Sequence, residues 1–317
     1  MFAIGGKSKE LTSIIERRDI EFVTDSKGHR TRKFYNDPAY ILVGYPFIVG
    51  NGTTQSDILS ERMSTLLGSN VYSLSYPSNP AAYEAKLKEY ENVLSGGKNV
   101  LQFYFKGNDF LVDYPTTVGT NKNDLTFKAF KKTVAYLDNL KSMYLKKVYP
   151  KWFKFSKVVN RKSKLSYTVI KNFVTDTDVL SQVKIIVKEI AGQEVGFLKR
   201  YNDVSTAKNV DTYIWSEPKL IERIKYVFFI PTKYRAYHNL DANLPLQILK
   251  ERYNKLNIPV FDLTSILKNE AKRKLEANEF LYWRDDTHWN GVGISTAGDY
   301  IATLLLSSTD KVPAVLE

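Results

Sequence analysis

The sequence predicts an α/β protein built on an open parallel sheet with helices on both sides. Three observations lead there. Five short runs rich in β-branched and aromatic residues are distributed along the 317 residues. Several of the intervals between them carry helical periodicity, and 43% hydrophobic residues with 13% aromatics are ample for a packed core. Near-continuous apolar runs of this length read as parallel strands covered on both faces.

The first run is "AYILVG" at 39–44. Ile58, Met63 and Leu66 then fall close to one helical face before the second run, "NVYSLS" at 70–75. Tyr83, Leu87, Tyr90 and Leu94 repeat the spacing before the third, "NVLQFYF" at 99–105. About 115 residues separate this strand from the fourth, "KYVFFI" at 225–230, far more than one crossover helix needs. Leu246, Leu249, Tyr253 and Leu256 precede the fifth, "IPVFDL" at 258–263. The long interval is expected to be a helical insertion over 110–222 that leaves and rejoins the same sheet, including a helix-like stretch over 178–201. The whole chain, 1–317, then counts as one domain.

The net charge of +12 is concentrated in that insertion. Between Asn121 and Phe173 there are 14 Lys or Arg against Asp124 and Asp138, so 14 − 2 = +12 lies in this segment. Its stretch "YLKKVYPKWFKFSKVV" interleaves Lys146, Lys147, Lys151 and Lys154 with Trp152 and other aromatics. That mixture suits a solvated basic face, an anionic glycan or an anionic membrane surface. Nucleic acid is disfavoured, because no nucleic-acid-binding motif accompanies the charge.

The absence of cysteine excludes disulfides, a thiol nucleophile and cysteine zinc sites. No run approaches the roughly 20 apolar residues of a membrane-spanning helix. The start "MFAIGGKSKEL" lacks the apolar core of a secretory signal, so a soluble chain is expected.

Ligands of open parallel sheets bind beyond the carboxyl ends of the strands. Three loops should meet there: "GYPFIVGNG", "YPSNP" and "KGNDF". Late in the chain, "RDDTHWNGVG" places His288 just after Asp285 and Asp286. A histidine oriented by a carboxylate serves as a general base, although a lone histidine here could equally cap the last helix. His29 and His238 have no partner pattern and read as surface or packing residues.

The loop "FKGNDF" together with "DDTHWN" resembles blocks III and V of the SGNH (GDSL-type) hydrolase superfamily. The stretches "FVTDSKGHRTRKF", "NVYSLSYPS" and "IPTK" are similar to bacterial members, in particular the branch that includes the alginate O-acetylation proteins. The resemblance covers most of the chain but not the insertion. It implies a flavodoxin-like three-layer α/β/α sandwich with strand order 2-1-3-4-5. The implied chemistry is serine-dependent acyl ester hydrolysis or O-acetyl transfer on an acylated carbohydrate, without metal or cofactor. An extracytoplasmic or membrane-associated location goes with it.

Carried over by position, Asn108 is the oxyanion donor and His288 the base. Asp286 matches the Asp-Thr-His-Trp form of the alginate branch and Asp285 the commoner Asp-x-x-His spacing; the sequence leaves both open. Gly44, Tyr45, Ser78, Gly107 and Asp109 would line the pocket. The departure lies at the nucleophile, where Gly-Asp-Ser is replaced by Gly44-Tyr45-Pro46. Proline has neither a hydroxyl to attack with nor a backbone N–H for the oxyanion. Ser78, Ser75, Thr53 and Thr54 are the hydroxyls near the expected pocket, each more simply a turn or cap residue.

Overall fold

A computed structural model of the chain describes residues 18–32, 34–75, 80–91, 94, 97, 99–106, 185–198, 215–238 and 244–309. All of them fall within one compact unit made of Met1–Tyr114 and Lys184–Glu317. The basic segment, with Lys146, Lys147, Lys151, Trp152 and Lys154, lies outside the described residues.

The unit is an α/β structure with a five-stranded parallel sheet flanked by helices. Its strands are β1 (Tyr40–Val43), β2 (Val71–Ser73), β3 (Val100–Phe105), β6 (Ile224–Ile230) and β7 (Val260–Asp262), in the spatial order β2-β1-β3-β6-β7. Four of the five expected apolar runs contain one of them, and the run at 225–230 matches β6 except that the strand begins one residue earlier, at Ile224. Strands β4 (Ile185–Ile190) and β5 (Gln193–Leu198) form a separate antiparallel pair. The helices are α1 (Pro46–Val49), α2 (Leu59–Leu67), α3 (Pro80–Glu89), α4 (Pro218–Glu222), α5 (Lys233–Tyr237), α6 (Leu244–Asn254), α7 (Thr264–Leu275) and α8 (Gly291–Thr309).

Side chains alternate across a strand, so each central strand feeds two cores. On one face Ile41, Val43, Tyr72, Tyr104, Val227 and Phe229 pack with Tyr83 and Leu87 of α3, Leu220 of α4 and Leu249 of α6. On the other, Phe103, Phe228 and Phe261 stack across three adjacent strands, with ring centroids 5.1 and 5.6 Å apart. The register makes this possible, since Phe103 pairs with Phe228 and Phe228 with Phe261. One polar ring sits in the first core. Tyr253 donates to Gln102 Oε1, Gln102 Nε2 donates to Tyr104 and the two tyrosine hydroxyls are bonded, each at 2.8 Å. Every polar atom of that ring finds a partner, which is what allows it to be buried.

The helical reading of 178–201 is corrected by the structure. Residues 185–198 form the β4–β5 hairpin, closed by the two-residue turn Ala191-Gly192 with φ of 51° and 75°. Two successive positive φ values are the requirement of a type I′ turn, the tightest link between antiparallel strands. The run "KIIVKEI" owes its strand to β-branched residues that a helical spacing also happened to fit. At the far end of 110–222, Trp215 and Leu220, the latter on the short helix α4, pack into the main core. Trp215 also donates to the Pro80 carbonyl at the start of α3, at 3.1 Å.

The segment before β1 carries a titratable packing contact. His29 is buried, 2.9 Å from the Tyr90 hydroxyl, and edge-on to Tyr72 and Tyr90. Burial, then Lys86, lower its pKa from 6.5 against the opposing pull of Asp25 and Glu89. The folded state therefore binds this proton less readily than the unfolded chain. Its contribution to stability is complete above about pH 6.5 and is lost as pH falls from there through the folded value. Unfolding midpoints compared between pH 7.5 and 5 should fall more for the parent than for His29→Gln, and equal falls would contradict the assignment.

Candidate functional site

The site is built at the carboxyl ends of the strands, where β1 lies between β2 and β3 and the direction of the connections reverses. Strand β1 ends at Val43, and Gly44 turns the chain into α1. A Cβ at Gly44 would lie 2.7 Å from Phe103 Cβ, so no larger residue lets the turn approach β3 this closely. Tyr45 is the N-cap of α1, with no side-chain cap bond, and its ring stacks on Phe105 with centroids 5.4 Å apart. Pro46 opens the helix at its first position and is buried. Proline suits that position because its φ is already helical and the N–H it lacks would have had no helical partner.

Phe47 ties this turn to the late loop. Its ring centroid lies 5.0 Å from that of His288, 5.1 Å from Trp289 and 4.6 Å from Phe105. The histidine ring is thus packed beside the residue that follows Pro46. His288 Nδ1 lies 2.8 Å from Asp286 Oδ1, and its side chain remains 17% exposed against 6% for Asp286. The same carboxylate oxygen accepts from the Thr287 and His288 amides at 2.5 and 3.3 Å. Burial by itself would raise the Asp286 pKa. The facing His288, its hydrogen bond, Arg18 and the Thr287 amide outweigh burial and leave the carboxyl below the usual aspartate range. An ionised carboxylate only accepts, so the neutral His288 ring carries its proton on Nδ1 and keeps a lone pair on Nε2.

The two aspartates are divided between different partners. Asp286 takes the histidine, whereas the side chain of Asp285 is fully buried against the Arg18 guanidinium. Arg18 Nη1 is also 3.7 Å from Asp286 Oδ2, and the guanidinium lies 4.2 Å over the Trp283 ring. The last helix is capped by Asn290, whose side chain accepts from the Gly293 amide at 3.1 Å, so His288 is not needed as its cap.

Lys233, the last residue of "IPTK", holds the loop in shape. Its buried ammonium donates to the carbonyls of Gly196, Trp283, Arg284 and Asp286 at 2.7, 2.7, 2.9 and 3.1 Å. The Gly196 amide returns a bond to Arg284 O at 2.8 Å. The β4–β5 hairpin, the start of α5 and the histidine loop therefore meet at one cation.

Of the residues expected at the site, Gly44, Tyr45, Pro46, Asp285, Asp286 and His288 are described, and Phe47 joins the first three to the last. Ser78, Gly107, Asn108 and Asp109 lie outside the described residues. The other hydroxyls serve the backbone: Thr53 donates to Gly50 O at 2.7 Å, Thr54 accepts from the Glu21 amide at 3.1 Å, and Ser75 donates to Leu42 O at 3.3 Å. His29 and His238 both take packing roles, the latter with its ring 4.2 Å from Tyr234.

Among the described residues no cluster of His, Cys, Asp or Glu could hold a metal ion. No helix among them is long and apolar enough to cross a membrane. A groove of about 690 Å³ between α7 and α8 is lined by none of the expected site residues. Its charges are matched locally, as by Glu270 with Arg273 and Asp299 with Arg62.

Arg18, Lys233 and Phe47 are the residues that the sequence did not single out. Nothing distinguishes Arg18 among 46 Lys and Arg residues. Lys233 at least follows a strand within a motif-like stretch. Comparison of the chain with family models, with curated proteins and with solved structures gives no match.

Proposed function

We propose that this chain is an SGNH-type hydrolase-like protein, of flavodoxin-like architecture, that binds an acylated carbohydrate without turning it over. The observation that carries the reading is the Asp286–His288 pair, bonded at 2.8 Å and packed through Phe47 beside Pro46. A histidine with Nδ1 engaged by a buried carboxylate has Nε2 free to take a proton, as acyl transfer requires of its base. Pro46 stands where that base would need a hydroxyl. Proton acceptance is retained and nucleophilic attack is lost. Removing the nucleophile of such a triad costs several orders of magnitude in rate, and the missing Pro46 N–H weakens the oxyanion site as well.

The purified chain should hydrolyse a small aryl acetate at the uncatalysed rate. An O-acetylated uronate oligosaccharide should nevertheless shift the imidazole resonance of His288, which is readily followed in a protein with three histidines. Turnover above background that His288→Ala abolishes would overturn the loss of catalysis. An unmoved His288 resonance at saturating glycan would overturn the binding role.

A further inference from the structure

The late loop buries two adjacent carboxylates, and a single histidine cannot balance both. The side chains of Asp285 and Asp286 are 0% and 6% exposed. Neighbouring carboxylates in such a setting do not both ionise unless a cation is supplied, because each raises the cost of charging the other. The cation comes from the other end of the chain. Arg18 is 5% exposed, pairs with Asp285 through Nη2, and approaches Asp286 through Nη1.

Its position is not that of a surface side chain that happens to reach an acid. The segment that carries it is pinned along the turn after α1. The Glu21 amide donates to Thr54 Oγ1 at 3.1 Å, the Val23 amide to Gln55 Oε1 at 3.3 Å, and Arg30 Nη2 to Glu21 O at 3.2 Å. A Cβ at Gly52 would lie 3.0 Å from both Arg18 Nη1 and Trp283 Nε1, so the turn leaves just enough room for the guanidinium against the indole.

We propose that Arg18 is a positioning residue for His288: it neutralises Asp285, so that Asp286 alone acts on the histidine. The N-terminal strap is then part of the site, and the proton balance of His288 depends on a residue 270 positions away in the sequence. The charged groups around this histidine include Asp285, Asp286, Arg18 and the Lys233 ammonium, which bonds the Asp286 carbonyl at 3.1 Å. Lys233 is occupied by four carbonyls of the backbone, whereas Arg18 faces the carboxylates themselves. The inference deepens the reading of His288 as a base, but its test requires no ester and no turnover, so the two can fail separately.

The test is an NMR titration of the imidazole signals in the full chain. Arg18→Gln removes the guanidinium charge paired with Asp285 and should raise the His288 midpoint by about one unit or more relative to the parent. Arg18→Gln combined with Asp285→Asn removes both charges and should return the midpoint to within about 0.3 units of the parent, an allowance for modest coupling between neighbouring sites. Arg18→Lys should retain most of the parental behaviour. If Arg18→Gln does not fold, Asp285→Asn alone decides the matter: with the Arg18 charge no longer offset by Asp285, the His288 midpoint should fall. A role confined to packing on Trp283 predicts no rescue by the double change. An unmoved midpoint in Arg18→Gln, or a double variant that stays shifted, would overturn the proposal.

Discussion

Replacing Lys233 by methionine should lower the free energy of unfolding by about 3–5 kcal/mol, because several buried carbonyls lose a charged donor and each buried group left unsatisfied costs about 1–3 kcal/mol. Domains of this kind have only about 5–15 kcal/mol to lose. The ammonium offers three donors to four carbonyl oxygens, all within 3.1 Å. Methionine fills much of the volume but donates nothing, so the carbonyls of Gly196, Trp283, Arg284 and Asp286 must find water or move. Moving them releases the loop that aims Asp286 at His288. Lys233→Arg tests the geometry, since a planar guanidinium cannot converge its donors on one point as an ammonium can. It should lose less than methionine and still fall short of the parent. Urea unfolding measures both, and a methionine variant within about 0.5 kcal/mol of the parent, the range of neutral surface changes, would show that the four bonds are not needed.

The second large effect is a gain. Changing Tyr45→Asp and Pro46→Ser together supplies a hydroxyl and a backbone N–H at the start of α1, and aryl acetate hydrolysis should rise on the order of 10³-fold above the parent. The helix should tolerate both substitutions. Aspartate is a better N-cap than tyrosine, and serine is accepted in the first turn. What is lost is the stacking of Tyr45 on Phe105, about 0.5–1.5 kcal/mol. Pro46→Ser alone should recover less, because the Tyr45 ring would still occupy the approach to the new hydroxyl. Addition of His288→Ala to the double change should remove the gain.

The sheet was legible because its strands are buried on both faces, so that "ILVG", "LQFYF" and "YVFFI" carry almost uninterrupted apolar signals. The hairpin was not. Its pattern, with the adjacent Lys188 and Glu189 between β-branched residues, does not alternate as a half-buried strand should and is compatible with a helical stripe. The decisive feature is the left-handed Ala191-Gly192 turn, a conformation rather than a composition. At the site, His288 and both aspartates were visible as a cluster within four residues. Which aspartate orients the ring was not, because that depends on where Arg18 arrives after the N-terminal strap has been laid along the turn at 50–55. Lys233 illustrates the same limit. A lysine after a strand looks exposed in sequence, and only the folded loop reveals four carbonyls converging on it.

The proposed function holds that His288 can act as a base beside a position, Pro46, that offers no nucleophile. Mass spectrometry of the Tyr45→Asp/Pro46→Ser protein after exposure to a fluorophosphonate probe tests it most directly. The account predicts one covalent adduct on the peptide that carries position 46, absent from the parent and strongly reduced when His288→Ala is added. A folded double variant that takes up no probe, or labels equally well without His288, would contradict it.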